Sequence, residues 1–317
     1  MTNANLMIVL PRLQVQNANT ISGPLTWGFP AVTAFLGFVH ALQRKVERDF
    51  ECLGVGITCH GFDPQVTRSS VSFAQTFNLT RNPLTKEGET SHSLEEGRAH
   101  LEVSLVITAN GRIDSDDIGI FKNELSEIVP SQRLAGGTIL PQRRGKRYET
   151  EIHPISSDSE DREKVFQKIK RTLLPGFALV HRPDLLASHL ETLQKENAEA
   201  HSLDAMLDLT RLNFQPVVST GTETSENTNW ETVRKIGWLV PIPIGYAGIS
   251  ELYKGGQVQN ARDPIMPFQF VECLYSLGEW VSPHRLSSLH HLLWHWHTDA
   301  TRGLYLCDNQ YHDAVSH

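Results

Sequence analysis

Apolar positions along the first 140 residues follow two different periods. Leu6-Met-Ile-Val-Leu-Pro-Arg-Leu13 is a compact apolar run of a length that suits a buried strand. From Pro30 the spacing changes. Ala34, Phe35, Phe38, Val39, Leu42 and Val46 recur three and four residues apart with Gln43, Arg44 and Lys45 opposite, which predicts a helix opened by proline. Leu53–His60 predicts a second strand. Leu101–Thr108 predicts a third, alternating apolar residues with Glu102, Ser104 and Thr108. Ser115–Val129 sets Ile118, Phe121, Leu125 and Ile128 at helical spacing behind Asp116 and Asp117, acids that suit the positive end of a helix dipole. Leu134–Leu140, holding Gly136-Gly137, predicts a short closing strand.

The predicted order is strand, helix, strand, strand, helix, strand. This is the α+β, ferredoxin-like pattern of RRM-like RNA-binding domains, and it predicts a first domain over residues 1–141. Gln14–Pro24, rich in Asn, Gln, Ser and Gly, reads as the loop after the first strand. The connection between the second and third strands, residues 61–98, far exceeds the usual hairpin loop of about 2–5 residues. It contains its own strand-like run, Val71–Leu79, and predicts a projecting arm. Residues 142–317 predict a mixed α/β elaboration for partner contacts. It holds a basic run, Gln142–Arg147, an acidic loop, Ser156–Asp161, and helices over Glu160–Leu174, Pro183–Lys195 and Leu203–Asn213. Ser219–Asn229 reads as a flexible segment. Gly237–Tyr246 and Phe268–Trp280 predict strands, followed by a helix over Leu286–His297.

Composition narrows the class. With 29 Lys+Arg against 36 Asp+Glu the 317-residue chain carries −7, which excludes a protein basic all over but leaves room for a local basic groove. Apolar residues at 39% and charged residues at 21% fit a globular protein, and the length favours two domains. Cys52, Cys59, Cys273 and Cys307 form no CxxC pair, so free thiols in a reducing cytoplasm are expected. Leu6–Leu10 has no basic region before it and no cleavage site after it, and no apolar stretch reaches the roughly 20 residues of a membrane helix. A cytoplasmic protein without membrane contact is expected.

Most enzymatic chemistries find no anchor. His291 and His295 lie four apart, but Leu292 stands where a zinc-protease motif needs Glu, and neither metal nor cofactor is expected. Phosphate-loop, dinucleotide and nucleophile-elbow motifs are absent. Gly136-Gly137 fits either a tight turn or a backbone that a ligand approaches closely. His40 and His60 are candidate general bases for RNA cleavage, although most such histidines are structural. What remains is loop polarity: Gln14, Gln16, Asn17, Asn19 and Ser22 after the first strand, Arg81, Asn82 and Arg98 on the arm, Arg143, Arg144, Lys146 and Arg147 after the fourth strand, and Arg262. Gathered at one end of a ferredoxin-like sheet, these groups point to single-stranded RNA.

Longer motifs give a more specific pointer. They are Leu13-Gln-Val-Gln-Asn-Ala-Asn-Thr-Ile-Ser22 with Pro24-Leu-Thr-Trp-Gly-Phe-Pro30, Phe77-Asn-Leu-Thr-Arg-Asn-Pro83, Glu96-Gly-Arg-Ala-His-Leu-Glu-Val-Ser104 and Arg133-Leu-Ala-Gly-Gly137. Leu173-Leu-Pro-Gly-Phe177, Trp238-Leu-Val-Pro-Ile-Pro243, Asn260-Ala-Arg-Asp263 and Gly278-Glu-Trp-Val-Ser-Pro-His-Arg285 continue the series. Together they resemble the Cas-five-like subunit, the Csy-two family, of the type I-F CRISPR surveillance (Cascade) complex, from about residue 6 to about residue 306. The arm tip, the basic run after Pro141 and residues 219–229 depart most from it.

The resemblance implies a RAMP-type fold and a non-catalytic subunit of an antiviral defence complex. It implies pairing with the complex's large subunit, grip on the 5′ handle of the CRISPR RNA (crRNA), contact with the backbone subunits, and only indirect dealings with target DNA. On that reading Gln16, Asn17, Asn19 and Ser22 line the handle site, and Gly136 and Gly137 let the RNA backbone approach. Arg81, Asn82 and Arg98 set the arm against RNA or a backbone subunit, and Arg262 neutralises phosphate. Trp280, Trp294 and Trp296 are expected at the partner interface, where aromatic anchors concentrate. An RNA-processing endoribonuclease on the same fold and a protein-only scaffold are the alternatives.

Overall fold

The computed structural model describes residues 4–68, 75–111, 113–155, 158–217 and 229–315. It begins with a long strand, β1 (Leu6–Asn19), then a small hairpin of β2 (Ile21–Gly23) and β3 (Thr26–Trp27), and helix α1 (Val32–Lys45). β4 (Phe50–Pro64) leads into the arm, which is two hairpins: β5 (Val66–Arg68) with β6 (Gln75–Phe77), and β7 (Leu79–Arg81) with β8 (Ser93–Glu95). β9 (Arg98–Gly111) returns to the sheet. Helix α2 (Ile118–Ile128), β10 (Arg133–Leu134), β11 (Gly137–Ile139) and β12 (Glu151–Pro154) follow. After α3 (Ser159–Thr172) come β13 (Phe177–His181), α4 (Pro183–Glu196), α5 (Ser202–Thr210), β14 (Phe214–Val217) and β15 (Asn229–Thr232). The chain ends with β16 (Leu239–Gly248), β17 (Val271–Val281), β18 (Leu293–Asp299), β19 (Leu304–Asn309) and α6 (Tyr311–Val315).

One antiparallel sheet of eleven strands organises these elements, in the order β10-β11-β1-β9-β4-β13-β17-β16-β19-β18, with β12 beside β11 on β1. β18 also pairs with β4, so the strands from β4 to β18 close on themselves. The predicted boundary at residue 141 does not interrupt the sheet, because β13 and β18 both bond to β4. No helix among the described residues is long and apolar enough to cross a membrane.

Alternation along β1 explains why its first half reads as unbroken apolar sequence. Successive side chains of a strand point to opposite faces, and here both faces are covered. Leu6, Ile8 and Leu10 pack with Phe35, Leu36, Val39 and Leu42 of α1 and Phe121 and Leu125 of α2. Met7 and Val9 pack with Phe166 and Ile169 of α3 and with Leu173 just after it on the opposite side. Each such side chain withdrawn from water contributes about 1.5–3 kcal/mol before chain entropy is counted. α3 starts where Asp158 accepts a 2.9 Å hydrogen bond from the Glu160 amide, with Glu160 and Asp161 in its first turn and Lys170 and Arg171 in its last.

Three expectations are corrected. Gln14–Asn19 is strand, not loop: Val15 pairs with Leu101 of β9 and with Ile139 of β11. Backbone irregularities at Arg12 (φ 49°) and Asn17 (φ 57°) break the two-residue alternation that would have revealed it. Leu134–Leu140 is a hairpin instead of one strand, because Ala135 (φ 50°) and Gly136 (φ 74°) both take the positive φ that a two-residue turn of the primed kind requires. Leu286–His297 is no helix. A short 3-10 turn over Leu289–His291 runs into β18, where Trp294, Trp296 and Thr298 alternate with His295, His297 and Asp299. His291 and His295 therefore do not share a helical face, and no group of three or more His, Cys, Asp or Glu among the described residues could hold a metal ion. Residues 71–74 of the predicted arm strand, 156–157 of the acidic loop and 219–228 of the flexible segment lie outside the described residues.

Candidate nucleic-acid interface

The irregularity in β1 lifts Asn17 out of the ladder at the root of the arm, where it is exposed. Its carbonyl oxygen accepts a 3.2 Å hydrogen bond from the Arg98 guanidinium, and its side-chain oxygen accepts one of 2.5 Å from Gln65 Nε2. The same Gln65 nitrogen lies 3.3 Å from His100 Nε2, and the Asn17 amide lies 3.4 Å from His100 Nδ1. Arg98 pairs with Glu96 at 2.9 Å, and Glu96 also accepts a 2.6 Å bond from the Thr80 hydroxyl. The Thr80 hydroxyl, followed by Arg98, holds the Glu96 carboxyl below the ordinary carboxylate range. A continuous polar chain thus links β7 and β8 of the arm to β1. It presents amide, imidazole and guanidinium groups side by side, the set that bonds base edges and phosphates. Asn17 and Arg98 were visible in the sequence. Gln65 and His100 were not, since only the return of β9 beside β4 brings them to Asn17.

A second cluster lies beyond the end of β1. Asn19, Ser22 and Gly136 line a groove of about 620 Å³ together with Thr33, Tyr246 and Tyr305, which come from α1, β16 and β19. The Asn19 side chain closes a local turn, donating to the Ile21 carbonyl at 2.7 Å and accepting from the Ile21 amide at 3.1 Å. The Ser22 hydroxyl accepts from the Ala31 amide at 3.0 Å. Both side chains therefore shape the wall with part of their bonding capacity. Gly136 stands open, with no atom within 4 Å of where a Cβ would be, and its carbonyl accepts from the exposed Arg133 at 3.2 Å. Gly137 is different. A Cβ there would meet Gln16 O at 2.7 Å and Ala18 N at 2.8 Å, so the backbone that approaches Gly137 is β1 and not a ligand.

Other expected residues stand apart. Gln16 is exposed on β1 opposite Thr138. Arg81, 3.4 Å from the Ser93 hydroxyl, and Asn82, whose carbonyl accepts from Ser91 at 2.8 Å, are exposed on the arm. Arg262 is exposed in the long connection between β16 and β17. The basic run is partly engaged within the protein: Arg143 lies 3.6 Å from Glu102 and 5.3 Å from the centre of the Tyr148 ring. Trp294 is corrected as an interface residue. It is wholly buried, and its indole N–H donates to the Leu179 carbonyl at 2.8 Å. Trp280 is nearly buried, and Trp296 packs edge-on against His40 at 4.4 Å. The tryptophans that face solvent are Trp27, Trp230 and Trp238.

The two candidate bases differ: the buried Nε2 of His40 has no hydrogen-bond partner among the described residues, whereas His60 is held at both ring nitrogens. His60 spans the Pro175 carbonyl and the Ser104 hydroxyl, each at 2.6 Å, and burial lowers its pKa. Ser276, His181 and Asp308 form a line with both gaps at 2.8 Å, the spacing of a nucleophile, base and orienting acid. Yet Ser276 and His181 are 5% and 6% exposed, and the line ties β17, β13 and β19 together inside the fold. Burial pushes the Cys59 thiol up to about 11 and Cys52 up to about 12, away from the thiolate that a nucleophile needs.

Comparison with known proteins agrees with the motifs over almost the whole chain. The family model described as CRISPR-associated protein (Cas_Csy2) matches residues 8–307. The CRISPR-associated protein Csy2 of Pseudomonas aeruginosa (strain UCBPP-PA14) is 47% identical over 311 residues, covering 96% of this chain and 95% of the relative. With identity at that level across both lengths, the chain belongs to the CRISPR-associated Csy2 family.

Proposed function

We propose that this chain is a non-catalytic, RNA-holding subunit of the type I-F CRISPR surveillance complex. It pairs with the large subunit and grips the 5′ handle of crRNA, while target DNA is read by base pairing with the guide. The observation that carries this reading is the polar chain at the arm root, where Gln65, His100 and Arg98 each lie within hydrogen-bond reach of Asn17 in a Csy2-family protein. A handle of fixed sequence suits groups that bond base edges, more than a cleft that grips any phosphate chain. The strand order β11-β1-β9-β4, with α1 and α2 packed on one face, supports a ferredoxin-like, RRM-like reading of the first half. Arg81 and Asn82 would set the arm against RNA or a backbone subunit, and Arg262 would face phosphate. The doubly bonded His60 gives the endoribonuclease alternative no support.

The test is co-purification. The tagged chain is expressed with its genomic neighbours, and bound RNA is sequenced. A uniform RNA beginning with one fixed handle is expected. A complex that assembles without RNA would overturn the reading in favour of the scaffold. Salt adds a second check, since neutralising Z phosphates on a single strand gives a log–log slope near −0.7Z, and a scaffold gives none. Asn17→Ala with Gln65→Ala is expected to weaken handle binding far more than binding of a scrambled RNA of equal length. Equal losses would sink the site assignment.

A further inference from the structure

Between the arm root and the β13–β17 pair lies an aromatic cleft of about 490 Å³, which shares no lining residue with the groove at Asn19 and Gly136. Five rings follow one another around it. Phe177 meets Trp238 with centroids 5.2 Å apart, Trp238 meets Trp280 at 6.2 Å, Trp280 meets Phe29 at 4.9 Å, and Phe29 meets Phe62 at 6.5 Å. The interplanar angles along that series are 75°, 51°, 87° and 49°, so no two of the five stack face to face. Trp238 and Trp27 are 56% and 53% exposed, and Trp27 leans edge-on against Phe77 of the arm at 5.5 Å. Through the ladder, Phe62 pairs with Leu101 and Leu101 with Val15, so Phe62 lies level with β1 two residues from Asn17.

No Asp, Glu, Lys or Arg lines the cleft. Its polar lining is Thr26, Cys59 and His60. The site therefore offers aromatic and apolar surface with no carboxylate, ammonium or guanidinium group. We propose that it takes one unpaired nucleobase of the RNA held at the arm root, an inference that rests on the RNA reading above. A base brings a plane that stacks on aromatic side chains, and its phosphate stays outside, toward Arg98.

The experiment uses the full chain in the assembly with which it co-purifies, and a set of RNAs that each carry one abasic ribose. One abasic position is expected to weaken binding about 5- to 150-fold, the range for one stacked base. Trp238→Ala is expected to lose a similar factor on intact RNA and almost nothing further on that one abasic RNA. Phe177→Ala, at a ring 44% exposed, repeats the test if Trp238→Ala fails to fold. Unchanged binding of intact RNA by both variants overturns the proposal while leaving the RNA reading in place. So does a variant that sheds a protein subunit but keeps its abasic profile. If the wild-type assembly binds no RNA, the RNA reading falls and this inference falls with it.

Discussion

The arm and the sheet from which it springs are held by different forces. In the sheet, β1, β4 and β9 are covered on both faces, and Ile8, Val9, Val55, Ile57, Leu105 and Ile107 are all without exposed surface. In the arm, Leu79 and Leu84 are 70% and 66% exposed, and both hairpins are tied down through side-chain hydrogen bonds and one ion pair near their base. Apolar burial scales with area and fixes a strand in place regardless of what else binds. Exposed polar links contribute only about 0–1 kcal/mol each and exchange readily with water. A projection built this way opens locally more readily than the sheet from which it springs.

The largest expected effect breaks the sheet side of that contrast. Trp294→Ala removes a fully buried indole and its hydrogen bond to Leu179, and is expected to cost about 3–5 kcal/mol in urea unfolding while arm exchange rates change only through global stability. A loss under about 1 kcal/mol would mean that the ring is less integral to the core than its burial implies. Gly137→Ala comes next. Its Cβ meets backbone at 2.7 and 2.8 Å, so a cost of about 1–3 kcal/mol is expected from prising β11 off β1. Gly136→Ala is unlike it. The space is open, but φ 74° strains any L side chain, and the cost is expected to be about 1 kcal/mol. Comparing the two unfolding midpoints separates packing from backbone strain.

A pH series sharpens the same comparison. His153, then Lys168 against the opposing pull of burial, hold the Glu151 carboxyl down to about 2, where it braces β12 against α3. Its folded pKa lies below its ordinary value of 4.5, so this stabilisation is complete above 4.5 and is lost as pH falls from there toward 2. Glu151→Gln is expected to flatten that part of the stability profile, and an unchanged slope would remove Glu151 from the account. Glu96 shifts in the same direction at the arm root, where its side chain is half-buried beside Arg98. Glu96→Gln is expected to move global stability by less than about 0.5 kcal/mol, yet to speed amide exchange in β7 and β8. Protection in the arm equal to wild type would show that Glu96 does not hold it.

Legibility followed how local each signal is. α1 could be placed from Phe35, Phe38, Val39 and Leu42, because one helix turn brings them to one face whatever the rest of the chain does. Leu101–Thr108 was equally plain. Trp294 misled twice, as a helix residue and as an interface anchor, because an aromatic among histidines has the same local pattern in a buried strand. In the site, Asn17, Asn19, Ser22 and Arg98 stood out by chemistry and by family resemblance. Gln65, His100, Thr33 and Tyr246 did not, since each is ordinary in its own neighbourhood.

By itself the sequence determined the strand and helix order of the first half, the free thiols as an expectation, and, through long uncommon motifs, the family. These rest on periodicity and residue identity, which are properties of neighbours along the chain. Tertiary structure alone decided that β4 carries β13 and β18, that Gln65 and His100 meet Asn17, and that Phe29, Phe62, Phe177 and Trp238 surround one cleft. Those contacts join residues as far apart along the chain as Val55 and Trp294, and arise from how strands pair and faces are buried, which no short window of sequence encodes.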